Sequence, residues 1–433
     1  MNIVGTSLLI FFVLLVFEVP IVISIGVTCI AIWLQNPAIA TNPQFIFQGM
    51  STSLDSFVLV AIPLFILSGN IMAKGGIAGK LFDFFSYFTG KYKAGLPITV
   101  IITCLFYGAL SGSAPATAAA VGGMAVPVLI NMGYSLEFSA AIVAVAGGLG
   151  VIIPPSIPMI VYGSATGASI GTMFIAGVLP GFLIAACMIV YAIYYCMKNP
   201  PNMDKLQSNY RRLHDAGFRK TFFDSFFALL TPVIILGGIY SGIFTPSEAA
   251  AISVIYALVV SIFVYRTMKV SEIPAVVKDA VATSAPIMII IAISGVFGRA
   301  LALLQVTRTV SDFILGNFPG KIAILLFINL LLLFIGCVMD TTPAILIFAP
   351  ILWPICEALG MSIIQFGIIM VCNLAIGFVT PPIGLNLFVV SSFTKVPILK
   401  LAKQALPFII AFFIALMLIT FVPAISLTLV GGA

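Results

Sequence analysis

The sequence predicts an all-α polytopic membrane protein with inverted-topology repeats. The chain has 433 residues, of which 62% are apolar and only 7% are charged, and its mean hydropathy of +1.25 lies outside the range of soluble proteins. A phrase of the form G-x-x-x-P-P occurs at residues 150–155 and again at residues 377–382. Each copy lies in an apolar stretch long enough to cross a bilayer.

The paired phrases predict two broken helices. Proline has no amide hydrogen and clashes with the preceding turn, so the carbonyls and amides around it lose their helical partners. Hydrocarbon cannot replace those partners, whereas a bound ion or substrate can. Two such interruptions at membrane depth therefore indicate a transport site.

The basic residues predict the orientation of the chain. Because the positive-inside rule places basic segments in the cytoplasm, residues 35–56 and both termini are expected on the periplasmic side. The first 17 residues contain no Lys or Arg and no small-residue cleavage site, so they are expected to remain as the first helix. Sixteen of the 19 Lys and Arg residues fall in four segments, at residues 74–93, 198–220, 266–278 and 395–403.

The first repeat is predicted to span residues 1–197. Its apolar stretch at about residues 95–131 is interrupted by polar residues 111–117. Two thin crossings would leave the basic segment 198–220 outside, so a re-entrant hairpin that enters and leaves from the cytoplasm is preferred. The other predicted elements are helices at about residues 2–17, 19–34, 56–73 and 172–197, a turn at residues 18–20, and a broken helix at about residues 137–168.

Residues 198–224 are predicted to form a cytoplasmic linker, and residues 225–433 a second repeat. The pattern recurs with an offset of about 227 residues, which indicates an internal duplication. Its predicted elements are helices at about residues 225–243 and 248–265, a hairpin at about 321–358 and a broken helix at about 364–394. Pro127, Gly133, Ser135, Gly150, Pro154 and Pro155 recur as Pro354, Gly360, Ser362, Gly377, Pro381 and Pro382.

The two repeats are predicted to be inverted, because the first begins outside and the second begins inside. The hairpin near Pro115 then dips from the cytoplasm and the hairpin near Pro343 from the periplasm. Residues 44–54 and 272–281 precede corresponding membrane helices and are predicted as interfacial arms.

Hairpin tips and helix breaks are expected to converge near the midplane, where their oxygen-bearing side chains suit a hard cation such as sodium. Half-helices that begin after Pro115, Pro155, Pro343 and Pro382 present free amides and a positive dipole end, which favours a carboxylate on the substrate. Close helix packing and simple proline kinks are the alternative explanation. The oxygen-bearing residues are Ser111, Ser113, Thr117, Ser156, Asp340, Thr341, Thr342, Thr380 and Asn386.

Three ionisable residues are interpreted singly. Asp340 is expected to be an ion or gating ligand, since a carboxylate in an apolar stretch needs a partner or water. Arg299 is expected to extend to the outer interface, with substrate contact as the alternative. His214 lies among charged residues and is expected to be solvated in a loop.

Five motifs resemble the large membrane subunit of tripartite ATP-independent periplasmic (TRAP) transporters, in order along essentially the whole chain. The resemblance implies an elevator-type mechanism, sodium coupling, a small four-helix membrane subunit and a periplasmic substrate-binding protein that delivers an organic acid. Because the chain begins directly at Met1, that small subunit is expected to be separate. The motifs are G-A-L-S-G-S-A-P-A-T (residues 108–117), G-V-I-I-P-P-S (150–156), G-I-F-T-P-S-E-A-A (242–250), D-T-T-P-A (340–344) and G-F-V-T-P-P-I-G-x-N (377–386).

The resemblance also implies two sodium sites and a substrate of the sialic acid or C4-dicarboxylate class. No residue separates these two substrates. The first sodium site would comprise Ser111, Ser113, Gly150 and Pro155. The second would comprise Gly336, Asp340, Thr342, Gly377 and Thr380. The residues assigned to substrate binding are Thr117, Ser156, Thr341 and Asn386.

The leading hypothesis is sodium-driven uptake of an organic anion across a bacterial inner membrane. No G-x-x-x-x-G-K-[ST] loop for nucleotide occurs in the sequence. A stand-alone sodium/anion symporter without a binding protein is the runner-up, and a channel is a further alternative. An enzyme is not expected, because paired aspartates, a Ser/His dyad and H-E-x-x-H are absent from the helices. No nucleic-acid partner is expected.

Overall fold

The structure is a computed structural model that describes residues 3–17, 19–35, 42–215 and 217–431. Within these residues all regular structure is helical, and nine helices are long and apolar enough to cross a membrane. The predicted all-α polytopic class is therefore confirmed. Glu18, in the predicted first turn, lies outside the described residues.

The N-terminal half contains ten α-helices among its described residues. The interruption predicted at residues 111–117 separates α6 from α7, and the first G-x-x-x-P-P phrase separates α8 from α9. The helices are α1 (Ile3–Val16), α2 (Ile21–Gln35), α3 (Pro43–Leu54), α4 (Ala61–Lys74), α5 (Ile77–Thr89), α6 (Gly95–Ser111), α7 (Ala114–Asn131), α8 (Leu136–Ala146), α9 (Ile157–Thr166) and α10 (Ile170–Lys198), with 3₁₀ turns at Phe57–Val60 and Gly147–Val151.

The C-terminal half repeats this order. The second G-x-x-x-P-P phrase separates α18 from α19, as the first separates α8 from α9. The elements are α11 (Met203–Asp215), α12 (Phe218–Tyr240), α13 (Pro246–Val259), α14 (Ile273–Leu303), α15 (Val306–Asn317), α16 (Gly320–Val338), α17 (Thr341–Ala358), α18 (Ile363–Gly377), α19 (Leu385–Thr394), α20 (Ile398–Phe421) and α21 (Ala424–Leu427), with 3₁₀ turns at Val270–Glu272 and Thr428–Val430 and a π-helical turn at Val260–Val264.

The segment predicted as a linker is mostly helical. It forms α11 and the beginning of α12, and the prediction that His214 lies in a solvated loop is wrong. The His214 ring is partly buried on α11, with its centroid 3.9 Å from that of Tyr87 and 3.8 Å from that of Tyr210. Aromatic packing against α5 therefore orders a stretch whose polar composition indicates a loop.

The two predicted interfacial arms, residues 44–54 and 272–281, differ in how they connect to the next helix. The first is the separate helix α3, which ends where Asp55 (ψ 62°) and the extended Ser56 leave the helical region. The second continues without a break into α14, a helix of 31 residues. The polar residues Thr283 and Ser284, just before Pro286, stay within α14, and their hydroxyls donate back to Asp279 O at 2.9 Å and to Val281 O at 3.4 Å.

Contacts bring the four basic segments to one end of the molecule. Lys74 Nζ lies 3.3 Å from Glu272 Oε1, and Lys80 Nζ lies 4.0 Å from Asp224 Oδ2. The amide of Asn202 donates to the carbonyl of Met132 at 3.0 Å, and Lys400 pairs with Glu137 at 2.6 Å in the adjoining α8. We call this the basic end.

Helices α6 and α7 form a hairpin whose outer ends lie together at the basic end. The Tyr134 hydroxyl, just beyond α7, donates to the carbonyl of Lys93, just before α6, at 2.8 Å. The tip of the hairpin, at Gly112 and Ser113, therefore points away from the basic end and into the molecule.

Helices of one half of the chain pack against helices of the other half. Helix α9 packs on α17, and α19 packs on α7, so one helix of each predicted hairpin contacts the second part of the other half's broken helix. Helix α4 packs on α13 in the same way as α14 packs on α2. Segments from opposite halves of the chain are thereby placed side by side.

Candidate functional site

Each half contains a junction where the turn between the two helices of a predicted hairpin meets a helix break. The first junction comprises residues 108–117 and 147–157, and the second comprises residues 336–342 and 377–386. In both, the Pro-Pro bond is cis. In both, an amide just after the prolines donates to the end of the hairpin's first helix: Ile157 N to Gly112 O at 3.3 Å, and Ile383 N to Cys337 O at 3.2 Å.

A pair of glycines allows the backbones to meet at each junction. A Cβ atom on Gly108 would lie 2.7 Å from the Cα of Gly150, and one on Gly336 would lie 3.3 Å from the Cα of Gly377. Sequence reasoning missed Gly108 as a site residue. Its offset from Gly336, close to the 227-residue repeat, is the signal that identifies it.

The first junction gathers the residues predicted for the first sodium site. The Ser111 and Thr117 hydroxyls lie 2.8 Å apart, and the Ser111 hydroxyl donates to the carbonyl of Ser113 at 3.3 Å. A Cβ on Gly150 would meet the Ser113 carbonyl at 2.7 Å, and the Pro155 carbonyl would lie 2.9 Å from a Cβ on Gly112. Gly112 itself has a φ of +62°, which favours glycine. The junction is a cluster of neutral oxygens.

The second junction has a carboxylate. Asp340 caps α17, with its Oδ1 accepting from the amide of Thr341 at 2.7 Å. The Gly336 carbonyl lies directly against Gly377. The Thr380 hydroxyl donates back to Ile376 O at 2.9 Å. Gly336 and Gly377 are therefore brought together, while Asp340 and Thr380 each bond within their own segment; Thr342 is buried in α17.

Exposure distinguishes the two junctions. Residues 147–157 of the first junction are buried throughout. At the second junction the side chains of Asp340, Pro381, Pro382 and Ile383 are exposed. One junction is closed by surrounding protein, and the other is open on one side.

The four residues predicted to bind substrate are all buried. Thr117 pairs with Ser111, and Ser156 caps α9 by accepting from the amide of Met159 at 3.3 Å. Asn386 donates to Ala144 O at 2.8 Å across the interface between the two halves, while its Oδ1 has no partner among the described residues. Thr341 packs beside Asp340. The structure thus places these side chains in caps and helix contacts around the junctions.

An open cleft of about 450 Å³ lies instead between α3, α9, α14 and α17, and we call it the Arg299 cleft. Arg299 and Ser294 line it from α14, and Thr52, Ser53 and Ser56 line it from α3 and the residues after it. A second cavity of about 420 Å³ shares Ser56 and Ser164 with the cleft. Sequence reasoning missed Ser294, because a serine in an apolar helix carries no distinguishing signal.

The cleft opens at the end of the molecule opposite the basic end. The Ser247 hydroxyl, at the start of α13, donates to Phe57 O at 3.0 Å beside the second cavity. The Tyr240 hydroxyl, at the end of α12, donates to Phe174 O at 3.2 Å on the same side. Arg299 lines the wall of a cleft that opens at this end of the molecule.

The fold and the two junctions define a multi-pass helical membrane protein whose helices are interrupted at two equivalent places. The chain belongs to the family of the tripartite ATP-independent periplasmic transporter, DctM component, whose family model matches residues 8–425. It is accordingly a transporter permease of the inner membrane and not an enzyme.

Curated relatives cover most of the chain. The chain is 43% identical over 378 residues to the C4-dicarboxylate TRAP transporter large permease protein DctM of Pseudomonas aeruginosa, covering 87% of this chain and 86% of the relative. It is 34% identical to the sialic acid TRAP transporter large permease protein SiaM of Vibrio cholerae, covering 90% of each. It is 40% identical to the isethionate TRAP transporter permease protein DctMQ of Oleidesulfovibrio alaskensis, covering 97% of this chain but only 65% of that relative.

Among solved structures, Neisseria gonorrhoeae MtrF, described as one of a class of antimetabolite efflux pumps, has a similar fold. The TM-score is 0.59 at 13% identity, covering 90% of this chain and 85% of MtrF. At this level of identity the likeness concerns the fold alone.

Proposed function

We propose that the protein is the large membrane subunit of a sodium-coupled secondary transporter that imports an organic acid. The observation that carries this proposal is the pair of junctions, where unwound backbone from a hairpin and a broken helix meets inside an apolar protein. At such places, backbone carbonyl oxygens that would otherwise accept hydrogen bonds within a helix are free to act as ligands. The chain belongs to a family of transporter permeases, which need binding sites of this kind within the membrane.

The donor atoms at the junctions suit sodium. The first offers the Ser111 and Thr117 hydroxyls with the Ser113 carbonyl, which are oxygen donors without charge. The second adds the Asp340 carboxylate at the start of α17 and the Gly336 carbonyl, which lies against Gly377. Hard cations prefer oxygen ligands, and one carboxylate matches the charge of one monovalent ion.

The orientation follows from the basic end. With that end in the cytoplasm, the α6–α7 hairpin is re-entrant from the cytoplasm, the α16–α17 hairpin is re-entrant from the periplasm, and both termini are periplasmic. The two hairpins and the two broken helices then form an elevator-type transport domain. Helices α1, α2, α4, α12, α13 and α14 form the scaffold against which it moves.

The substrate and partners are proposed from the relatives. Their printed names give a C4-dicarboxylate, sialic acid and isethionate, which share an acidic group on a small organic molecule. The chain spans 65% of the DctMQ relative, which is consistent with a small four-helix membrane subunit that completes the permease. A periplasmic binding protein would deliver the substrate.

The test is uptake by proteoliposomes that contain the permease with its small subunit. A panel of succinate, sialic acid and isethionate is offered with and without candidate binding proteins, under an inward sodium gradient or an equal potassium gradient. We expect saturable uptake that requires both sodium and a binding protein. Uptake without a binding protein would favour the stand-alone symporter, non-saturating flux would favour a channel, and uptake equal in both gradients would remove sodium coupling.

A further inference from the structure

The Arg299 cleft is distinct from both junctions and contains one cation. Arg299 is exposed within the cleft and is the one charged side chain among the described residues that line it. None of the ion pairs formed within the described part of the chain includes Arg299. A guanidinium without a protein partner favours a planar anion, because it can donate two parallel hydrogen bonds to a carboxylate or sulfonate.

A buried hydroxyl on the same helix, α14, also lacks a partner. Ser294 is only 2% exposed, its Oγ accepts or donates no hydrogen bond among the described residues, and it lines the cleft. A buried hydroxyl without a partner is unfavourable, so a ligand that bonds to it gains from the contact. Ser294 therefore points independently to a polar ligand in this place.

The wall formed by α14 is shaped to admit a ligand. Ser294 and Gly298 are four residues apart, as are Gly295 and Arg299, and all four residues line the cleft from α14. A Cβ built on Gly298 would meet nothing within 4 Å, so the space in front of it is open. By contrast, Gly295 faces Ser53 of α3 in direct contact, which holds α3 against α14.

The opposite wall comes from other elements. Ser164 and Ala165 belong to α9, and Leu346 and Pro350 belong to α17. The proposed function assigns α9 and α17 to the moving domain and α14 to the scaffold. A ligand in this cleft would touch both, with hydroxyls on the side of α3 and α9 and the guanidinium on the side of α14.

We propose that the Arg299 cleft is the site where the acidic group of the transported substrate binds before translocation. The Arg299 guanidinium and the Ser294 hydroxyl hold the carboxylate or sulfonate, and the cleft hydroxyls contact the remainder of the molecule. This inference rests on the proposed function for the identity of the ligand. It differs from the substrate residues predicted from sequence, which lie buried at the junctions.

A chemical protection experiment tests the site without transport. The permease with its small subunit, in nanodiscs, is treated with phenylglyoxal, which modifies arginine, and peptides containing Arg299 and Arg308 are quantified by mass spectrometry. Arg308 is the internal control, because it is exposed and pairs only with Asp312, at 3.9 Å. We expect each accepted acid of the panel to slow modification of Arg299 and not of Arg308, relative to chloride at equal ionic strength.

Three variants separate this inference from the proposed function. Arg299→Gln should raise the KM for uptake about 10- to 100-fold, the range expected for a hydrogen-bonded charge, while the sodium dependence stays unchanged. Arg299→Lys should restore part of the affinity, and Gly298→Leu should fill the cleft and lower uptake without a backbone clash. Arg308→Gln is the matched control and should behave as wild type.

The outcomes are distinguishable. Absence of sodium-driven uptake in the wild type would contradict the proposed function. The protection experiment would still show whether an organic acid binds in the Arg299 cleft. Normal KM in Arg299→Gln, or no protection by any panel acid, overturns the cleft as the substrate site. Protection of Arg299 by the binding protein alone also overturns it, because Arg299 would then contact that protein. Size-exclusion profiles of the variants check that each remains folded.

Discussion

The two junctions share a backbone plan but differ in charge and exposure. Each combines a glycine contact, a cis Pro-Pro bond and a hydrogen bond from the chain after the prolines to the hairpin. The first is buried and is built from neutral oxygens, whereas the second has an exposed carboxylate at its tip. One backbone geometry therefore supports two electrostatic environments, which indicates that the two ion sites proposed here differ in affinity and in access.

The glycine contacts should produce the largest effects. Gly150→Ala and Gly377→Ala each place a Cβ against backbone that cannot rotate away, and overpacking of this kind destabilises by about 1–3 kcal/mol. We expect both to abolish sodium-dependent uptake, measured in proteoliposomes. Gly123→Ala is the control, since its Cβ would meet nothing within 4 Å. If only one of the two variants is inactive, the junctions are not equivalent.

Removal of the carboxylate should have the next largest effect. Asp340→Asn keeps a side chain that caps helices but loses the charge, so the sodium concentration for half-maximal uptake should rise about 10- to 100-fold. Asp340→Ala, which also loses the cap, should abolish sodium-dependent uptake. Asp312→Asn, at an exposed surface pair, is the control. An unchanged sodium dependence in Asp340→Asn would exclude this carboxylate from the coupling site.

A neutral ligand at the first junction should matter less. Ser111→Ala removes one hydroxyl among several oxygens, so we expect the half-maximal sodium concentration to rise about 3- to 10-fold, as for an uncharged hydrogen bond. Ser139→Ala is a matched control, because that buried hydroxyl bonds within its own helix at 2.8 Å. An effect of Ser111→Ala as large as that of Asp340→Asn would contradict the contrast in charge.

The smallest effect is expected where the broken helices are anchored. Lys400 ties the start of α8 to α20 through Glu137, whereas the start of α18 is held by the Tyr162 hydroxyl, which donates to Ile363 O at 2.8 Å. Lys400→Gln should lower stability by about 0.2–1 kcal/mol, because the pair is partly exposed. Thermal melting should show this loss at low salt and a smaller one at high salt. A loss that is independent of salt would indicate packing and not charge.

Local signals predicted the breaks and turns correctly. Pro154, Pro155, Pro381 and Pro382 interrupt helices where the sequence indicates, and Ser135 caps α8 in the first half as Ser362 caps α18 in the second. These features depend on the backbone chemistry of proline and on hydroxyl caps within a few residues, so they can be read from short segments.

One expectation based on polarity was wrong, and a second did not reveal the packing around its residue. His214 is stacked between rings of α5 and α11, although its neighbours in sequence are charged. The expectation for Arg299 concerned only its depth in the membrane, whereas the structure shows that it lines a cleft with α3, α9 and α17. Both placements depend on helices that are distant in sequence.

The sequence by itself determined the helical membrane class and the helix breaks, and it indicated the duplication and the oxygen-bearing residues beside the breaks. Hydropathy, proline geometry and basic-residue placement are properties of short stretches, and they need no knowledge of neighbours. Only the tertiary structure decided that Gly108 meets Gly150, that the second junction is open, and that Arg299 and Ser294 share a cleft with α9 and α17. These features arise where helices far apart in the chain approach one another, and the packing of side chains from both partners sets that approach.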